Sequence, residues 1–240
     1  MRFLLKDWIT LGNLILACVA ISLILHGRLE AATAVILLDW VLDGLDGVVA
    51  RRTGTSNRFG SDFDNLSDLF IYSVAPALMV HAVYMPVQPV LAFVLMTAIL
   101  STASIRLARG TARPLSYPGF WLGLPRPALG LTVVFFLSST TFQILQPLRA
   151  GAVLVLALAA LNLSYLPYIS NRATYTRGQG VFMVSALAVS LALYPFGLGW
   201  DAGLTLTLAY AVFPFWGVSR QRRAEVRRYV ARWKAAPDPS

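Results

Sequence analysis

The chain has 240 residues, 57% of them hydrophobic and only 13% charged, with a mean hydropathy of +0.66. Soluble domains are about 45–50% apolar and about 25% charged, so this composition excludes a soluble nucleic-acid binder, a disordered chain and a fibrous repeat. A single cysteine, Cys18, excludes an internal disulfide framework and any multi-cysteine zinc site.

Apolar runs lie near 8–25, 31–50, 66–84, 87–105, 128–146, 150–167, 181–197 and 202–218. Each approaches the ~20 residues that a helix needs to cross a bilayer. They predict an all-α polytopic membrane protein with about eight transmembrane helices. The first run follows Arg2 and Lys6, and its stretch up to Ala17 and Cys18 has a loose likeness to a secretory signal. Its small-residue pattern is poor and further runs follow, so a retained crossing is expected. The second run is interrupted by acids.

An even number of crossings puts both termini on one side. Every lysine and arginine except Arg28 and Arg149 then falls on that side. Cytoplasmic loops favour these residues. Both termini are therefore expected in the cytoplasm, with the chain in a bacterial-type inner membrane. The net charge of +9 becomes a topology signal, and no nucleic-acid partner is expected. In the basic tail, 219–240, Val226, Tyr229, Val230 and Trp233 recur at helical intervals among arginines. The tail reads either as an amphipathic helix on the anionic inner leaflet or as a solvated topology marker.

Six of the 11 acids lie between positions 39 and 68: Asp39, Asp43, Asp46, Asp62, Asp64 and Asp68. Ionised carboxylates in a membrane helix are costly unless paired, hydrated or bound to metal. Asp43 and Asp46 are spaced i, i+3 near the cytoplasmic end of the second run. Asp64 and Asp68 are spaced i, i+4 at the start of the third. Each pair shares a helix face. The link RRTGTSNR is short, so the helices should be antiparallel neighbours whose acids converge. Like charges so close repel one another, and divalent cations remove the conflict. Oxygen-only ligands suit Mg²⁺, Mn²⁺ or Ca²⁺, and two metals on shared carboxylates can handle phosphoryl oxygens. Gly47 and Gly60 leave room for a ligand against the backbone. Arg51, one turn after Gly47, is a natural phosphate clamp.

Asp43, Asp46, Gly47, Ala50, Arg51, Gly60, Asp64 and Asp68 stand at the spacing of the CDP-alcohol phosphotransferase signature, which the segment resembles at every defining position. The resemblance implies an enzyme that displaces CMP from a CDP-linked donor with an acceptor hydroxyl. It implies a six-helix core within residues 1–170, followed by two additional transmembrane helices over 171–218. By analogy Asp43, Asp46, Asp64 and Asp68 hold two divalent ions, Mg²⁺ or Mn²⁺. Asp68 also matches the general base. Gly47, Ala50, Arg51 and Gly60 match the positions that bind CDP and its diphosphate. Asp39, one turn before Asp43, is outside the signature and receives no ligand role.

Further segments resemble the phosphatidylserine synthase branch: SVAPAL (Ser73–Leu78), IRLARG (Ile105–Gly110), FWLGLPRPALG (Phe120–Gly130) and TLGN (Thr10–Asn13). Asn65 and Leu69 depart from the phosphatidylglycerophosphate synthase pattern. That branch implies CDP-diacylglycerol as donor and L-serine as acceptor. Inositol phosphate, glycerol phosphate or an amino alcohol within the same family is the alternative. A serine carboxylate needs a cation, for which Arg106 and Arg109 are the candidates ahead of Arg113 and Arg126. Membrane lipids, and a second copy of the chain in a homodimer, are the other partners considered. Intramembrane acids also build divalent-cation transporters. Here they gather at one interface, and most outer helix halves are apolar.

Overall fold

The computed structural model describes residues 5–53, 58–144, 149–170 and 188–236, with side chains for 7–44, 58–144, 151–170 and 188–236. In chain order these residues form α1 (Leu5–Leu25), α2 (Leu29–Thr53), α3 (Arg58–Leu69), a π-helical turn (Phe70–Val74), α4 (Ala75–Tyr84) and α5 (Pro89–Ala112). Next come α6 (Arg126–Ser138), α7 (Thr140–Ile144), α8 (Arg149–Leu163), α9 at 188–193, α10 (Gly199–Trp216) and α11 (Arg220–Ala235). The fold is the all-α membrane architecture that the composition demands. Two units are distinguished, Met1–Leu100 and Ser101–Ser240, with α5 passing from the first into the second.

Among the described residues, three helical stretches are long and apolar enough to cross a bilayer: Asp7–Leu25, Arg58–Tyr84 and Pro89–Ala112. The pair α10 and α11, bent by 84°, is a fourth if taken as one broken span. At ~1.5 Å per residue the 25 residues of α2 reach about 37 Å. That exceeds the ~30 Å hydrocarbon core, so α2 has the length of a crossing while its acids lower its hydropathy. Of the seventh apolar run, residues 188–197 are described and carry α9 and a short 3₁₀ turn, Tyr194–Phe196.

In the first unit, α1 packs against α2, α3, the π turn and α4. Small buried residues, Ala17 and Ala20 on α1 and Ala32 on α2, let helix backbones approach closely. A π turn at Phe70–Val74 lies just before Pro76 enters the first turn of α4. Proline has no N–H to donate, and a widened turn is a common way to absorb such a break in an otherwise continuous helix.

In the second unit the fifth apolar run is broken. α6 ends at Ser138, Ser139 is extended, and α7 restarts at Thr140. The Phe142 N–H donates to Ser139 Oγ over 3.1 Å, and the N–H groups of Thr140 and Thr141 donate to the Asp201 carboxylate over 3.0 Å each. Ser and Thr favour such caps over helix interiors. α6 packs on α8 and α10. A two-stranded antiparallel sheet, absent from the sequence reading, pairs β1 (Phe120–Leu122) with β2 (Pro167–Ile169), matching Trp121 to Tyr168.

Candidate active site

The signature occupies α2 and α3 of the first unit. Asp43 is half-buried on α2. Asp46, Gly47, Ala50 and Arg51 continue the same helix, and their side chains lie outside the described residues. On α3, Gly60 is buried while Asp64 and Asp68 are half-buried. Local contacts set the rotation of this helix. Ser67 Oγ donates to Thr10 O at 3.4 Å, which ties one face to α1. Arg58 pairs with Asp62 at 3.9 Å on the exposed side, and the rings of Phe59 and Phe63 stack 5.8 Å apart. Asp62 thus belongs to a surface pair, in keeping with its absence from the signature.

Tyr72 reports where the acids meet. Its side chain is fully buried in the π turn, and its phenol feels the charges of Asp43, Asp39 and Asp68, strongest first. Acids from α2 and from α3 therefore share one neighbourhood. Asp39 is itself buried, as are Asp7, Thr10 and Asn13 along one side of α1. The first unit thus buries polar side chains that hydropathy alone would not reveal.

The arginines proposed for the acceptor sit in the second unit, where each has work in the fold. Arg106 Nη1 donates to Asn162 O at 2.9 Å, and Arg109 Nη1 donates to Leu163 O at 3.3 Å. Both carbonyls belong to the last turn of α8, where backbone acceptors lack helical partners and the dipole favours cations. Arg109 also lies over the Tyr165 ring, 4.6 Å from its centroid. Gly123 lies against the Arg106 head with φ +82°; a Cβ there would sit 2.5 Å from Arg106 Nη1 and from Ser164 O. Asn162 Nδ2 donates to Leu124 O at 2.7 Å, and Tyr168 donates to Ala211 O at 2.9 Å. Burial raises the Tyr168 phenol above its ordinary pKa, so it remains a donor. Arg126 opens α6 and is buried.

The CDP-alcohol phosphatidyltransferase family matches residues 3–192. The chain belongs to that family. Several relatives carry the name CDP-diacylglycerol–serine O-phosphatidyltransferase. The protein of Methanocaldococcus jannaschii is 30% identical over 209 residues, 87% of this chain and 91% of the relative. That of Bacillus subtilis is 28% identical over 158 residues, covering 66% and 82% of the two chains. That of Mycobacterium leprae is 31% identical over 141 residues, 56% of this chain and 47% of the relative.

Within this phosphatidyltransferase fold, Asp43 on α2 and Asp68 on α3 both act electrostatically on Tyr72. Tyr72 and Asp7 are buried polar residues that motif reading passes over, and Asp39, which it sets outside the signature, is buried too. The spacing of Tyr72, four residues after Asp68 and so on the same helix face, was a usable signal.

Proposed function

We propose that the protein is an integral-membrane phosphatidyltransferase that uses the hydroxyl of L-serine to displace CMP from CDP-diacylglycerol, forming phosphatidylserine. The observation that carries this reading is likeness along 87% of the chain to a relative named for that reaction, alongside the complete signature from Asp43 to Asp68. The relatives reported are named as transferases, which favours catalysis over cation transport as the use of these acids.

In the proposed reaction the serine oxygen bonds to the phosphorus that carries diacylglycerol. The bond from that phosphorus to the bridging oxygen of CMP breaks, and the hydroxyl proton passes to Asp68. Gly47 and Gly60 let the diphosphate lie against helix backbone, Ala50 lines the nucleotide position, and Arg51 clamps a phosphate oxygen. Arg106 or Arg109 is assigned the serine carboxylate on charge, since a guanidinium keeps further N–H donors beyond the one given to α8. The donor's acyl chains stay in the inner leaflet, serine arrives from the cytoplasm, and both termini lie on that side.

Asp43, Asp46, Asp64 and Asp68 are proposed to hold two divalent ions, Mg²⁺ or Mn²⁺. Support comes from donor chemistry: the set is oxygen-only, and Asp43 and Asp68 act on one buried phenol from two different helices. Such ions supply Lewis-acid neutralisation of the diphosphate charge.

The test is an acceptor panel with purified protein, CDP-diacylglycerol and Mg²⁺ or Mn²⁺. Serine should release CMP and yield phosphatidylserine, and chelation should stop the reaction. CMP release with inositol phosphate or glycerol phosphate but not with serine would keep the family and overturn the acceptor.

A further inference from the structure

The C-terminal helix does not offer its apolar side to lipid, as an interfacial helix of this sequence would. After Trp216 the chain turns by 84° into α11, and Val226 and Val230 are buried together with Leu122, against Leu115, Tyr117 and Tyr165. Tyr229 donates to Ser116 O at 2.7 Å, and the Arg113 head donates to Trp233 O while lying 4.5 Å from the centre of its ring. α11 is a docked element of the second unit. Between its first half, the end of α10 and the segment entering β2 lies a cavity of about 390 Å³, whose walls include Tyr165, Pro167, Phe215, Arg223, Val226 and Arg227.

Arg223 and Arg227 are i, i+4 on α11 and so share a face. Arg223 Nε is shielded from solvent and has no hydrogen-bond partner among the described residues. A buried donor left in that state is uncommon and calls for an explanation. More positive charge lies nearby: Lys234 Nζ and the Arg109 head sit 4.4 and 4.6 Å from the centre of the Tyr165 ring. The acid closest in sequence, Glu225, is held by Arg222 at 3.3 Å at the surface. A permanently charged fork facing a cavity matches paired anionic oxygens. The remaining walls are apolar, and Phe215 and Trp216 beside them are 53% and 70% exposed. A free anion gains nothing from such aromatics, whereas acyl chains bury them.

We propose that this cavity binds the phosphate of an anionic glycerophospholipid, through Arg223 and Arg227, with the acyl chains leaving past Phe215 and Trp216. None of its lining residues belongs to the signature or is among those assigned to donor binding. It makes the C-terminal helix a reader of membrane charge through a defined pocket instead of through its whole surface.

The test uses the full chain in nanodiscs of phosphatidylcholine, alone or mixed with phosphatidylglycerol. Lipid retained on the released protein is read by native mass spectrometry. Wild type should retain phosphatidylglycerol preferentially, and joint Arg223→Gln and Arg227→Gln should cut that retention roughly tenfold, as expected for losing a charge-assisted contact. Joint Arg220→Gln and Arg228→Gln removes the same charge from exposed positions and should change retention by less than about twofold. Inorganic phosphate in excess should not displace the lipid. Equal loss in both glutamine pairs would reduce the site to diffuse surface charge, and displacement by phosphate would make it a free-anion site; either overturns the proposal. Should the first pair not fold, joint Arg223→Lys and Arg227→Lys decides: lowered retention supports the pocket, because a point charge lacks the fork, and unchanged retention contradicts it.

Discussion

The signature helices α2 and α3 and the arginine-bearing stretch from Arg106 to Arg126 are both strongly charged, and they handle charge in opposite ways. In the second, cations meet opposite partial charge at once: carbonyls at the end of α8 for Arg106 and Arg109, and the Trp233 carbonyl and ring for Arg113. In the first, carboxylates on two helices, Asp39 and Asp43 on α2 and Asp68 on α3, all act electrostatically on the buried Tyr72. Like charges brought together in a membrane are unfavourable unless cations join them. A charge with an evident partner in the fold is adequately explained by architecture, whereas convergence of like charge asks for a ligand. By this criterion the acids are the groups we propose for the chemistry, and the arginines must show an acceptor role beyond their structural one.

The largest effect should separate ligation from proton transfer among the acids. Asp64→Ala should lower turnover by about three orders of magnitude, the worth of several kcal/mol of charge stabilisation, and should abolish metal-dependent donor binding. Asp68→Asn should lose ~10²–10⁴-fold in turnover while keeping part of the donor affinity, since one ligand oxygen survives. Steady-state CMP release and titration of CDP-diacylglycerol check both. Equal loss of binding in the two variants would remove the distinction between ligand and base.

Arg106→Ala comes next and tests the other side of the comparison. Loss of the charged hydrogen bond to Asn162 O should cost about 1.5–3 kcal/mol of stability, seen as a lower unfolding temperature in detergent. If the side chain also holds serine, the apparent KM for serine should rise well beyond that for CDP-diacylglycerol. A stability loss with both KM values unchanged would make Arg106 a purely structural cap.

Gly123→Ala attacks the same cap from the backbone. The left-handed conformation alone costs a non-glycine residue about 1–2 kcal/mol, and the new Cβ must also displace the Arg106 head and two carbonyls. Its unfolding temperature should fall as that of Arg106→Ala does, and the double variant should be less destabilised than the sum. Asp201→Asn should have the smallest effect, about 1 kcal/mol, because an amide keeps one acceptor for the N–H groups that open α7. It should leave CMP release unchanged.

Much of this was legible in the residues. The acid spacing placed Asp43 on one helix and Asp64 and Asp68 on the next, and apolar runs marked most of the helices, because bilayer length and helix period impose strong one-dimensional patterns. What was not legible depended on contacts between segments distant in sequence. The break at Ser139 needs Asp201 to cap α7, the β1–β2 pairing joins residues far apart in the chain, and the inward face of α11 needs Leu122 and Tyr165 to cover it. Val226 and Val230 have the same periodicity whether they face lipid or protein, so amphipathicity alone could not choose. Tyr72 escaped notice because a tyrosine in an apolar run looks like an ordinary core residue until its acidic neighbours are known.

The most direct test of the account is calorimetric titration of CDP-diacylglycerol into the detergent-solubilised protein, with and without Mg²⁺ or Mn²⁺. Saturable binding should require the metal, vanish on chelation and in Asp64→Ala, and persist in Arg106→Ala. Donor binding that ignores chelation and survives Asp64→Ala would contradict the claim that the converging carboxylates of α2 and α3 hold the diphosphate through divalent ions.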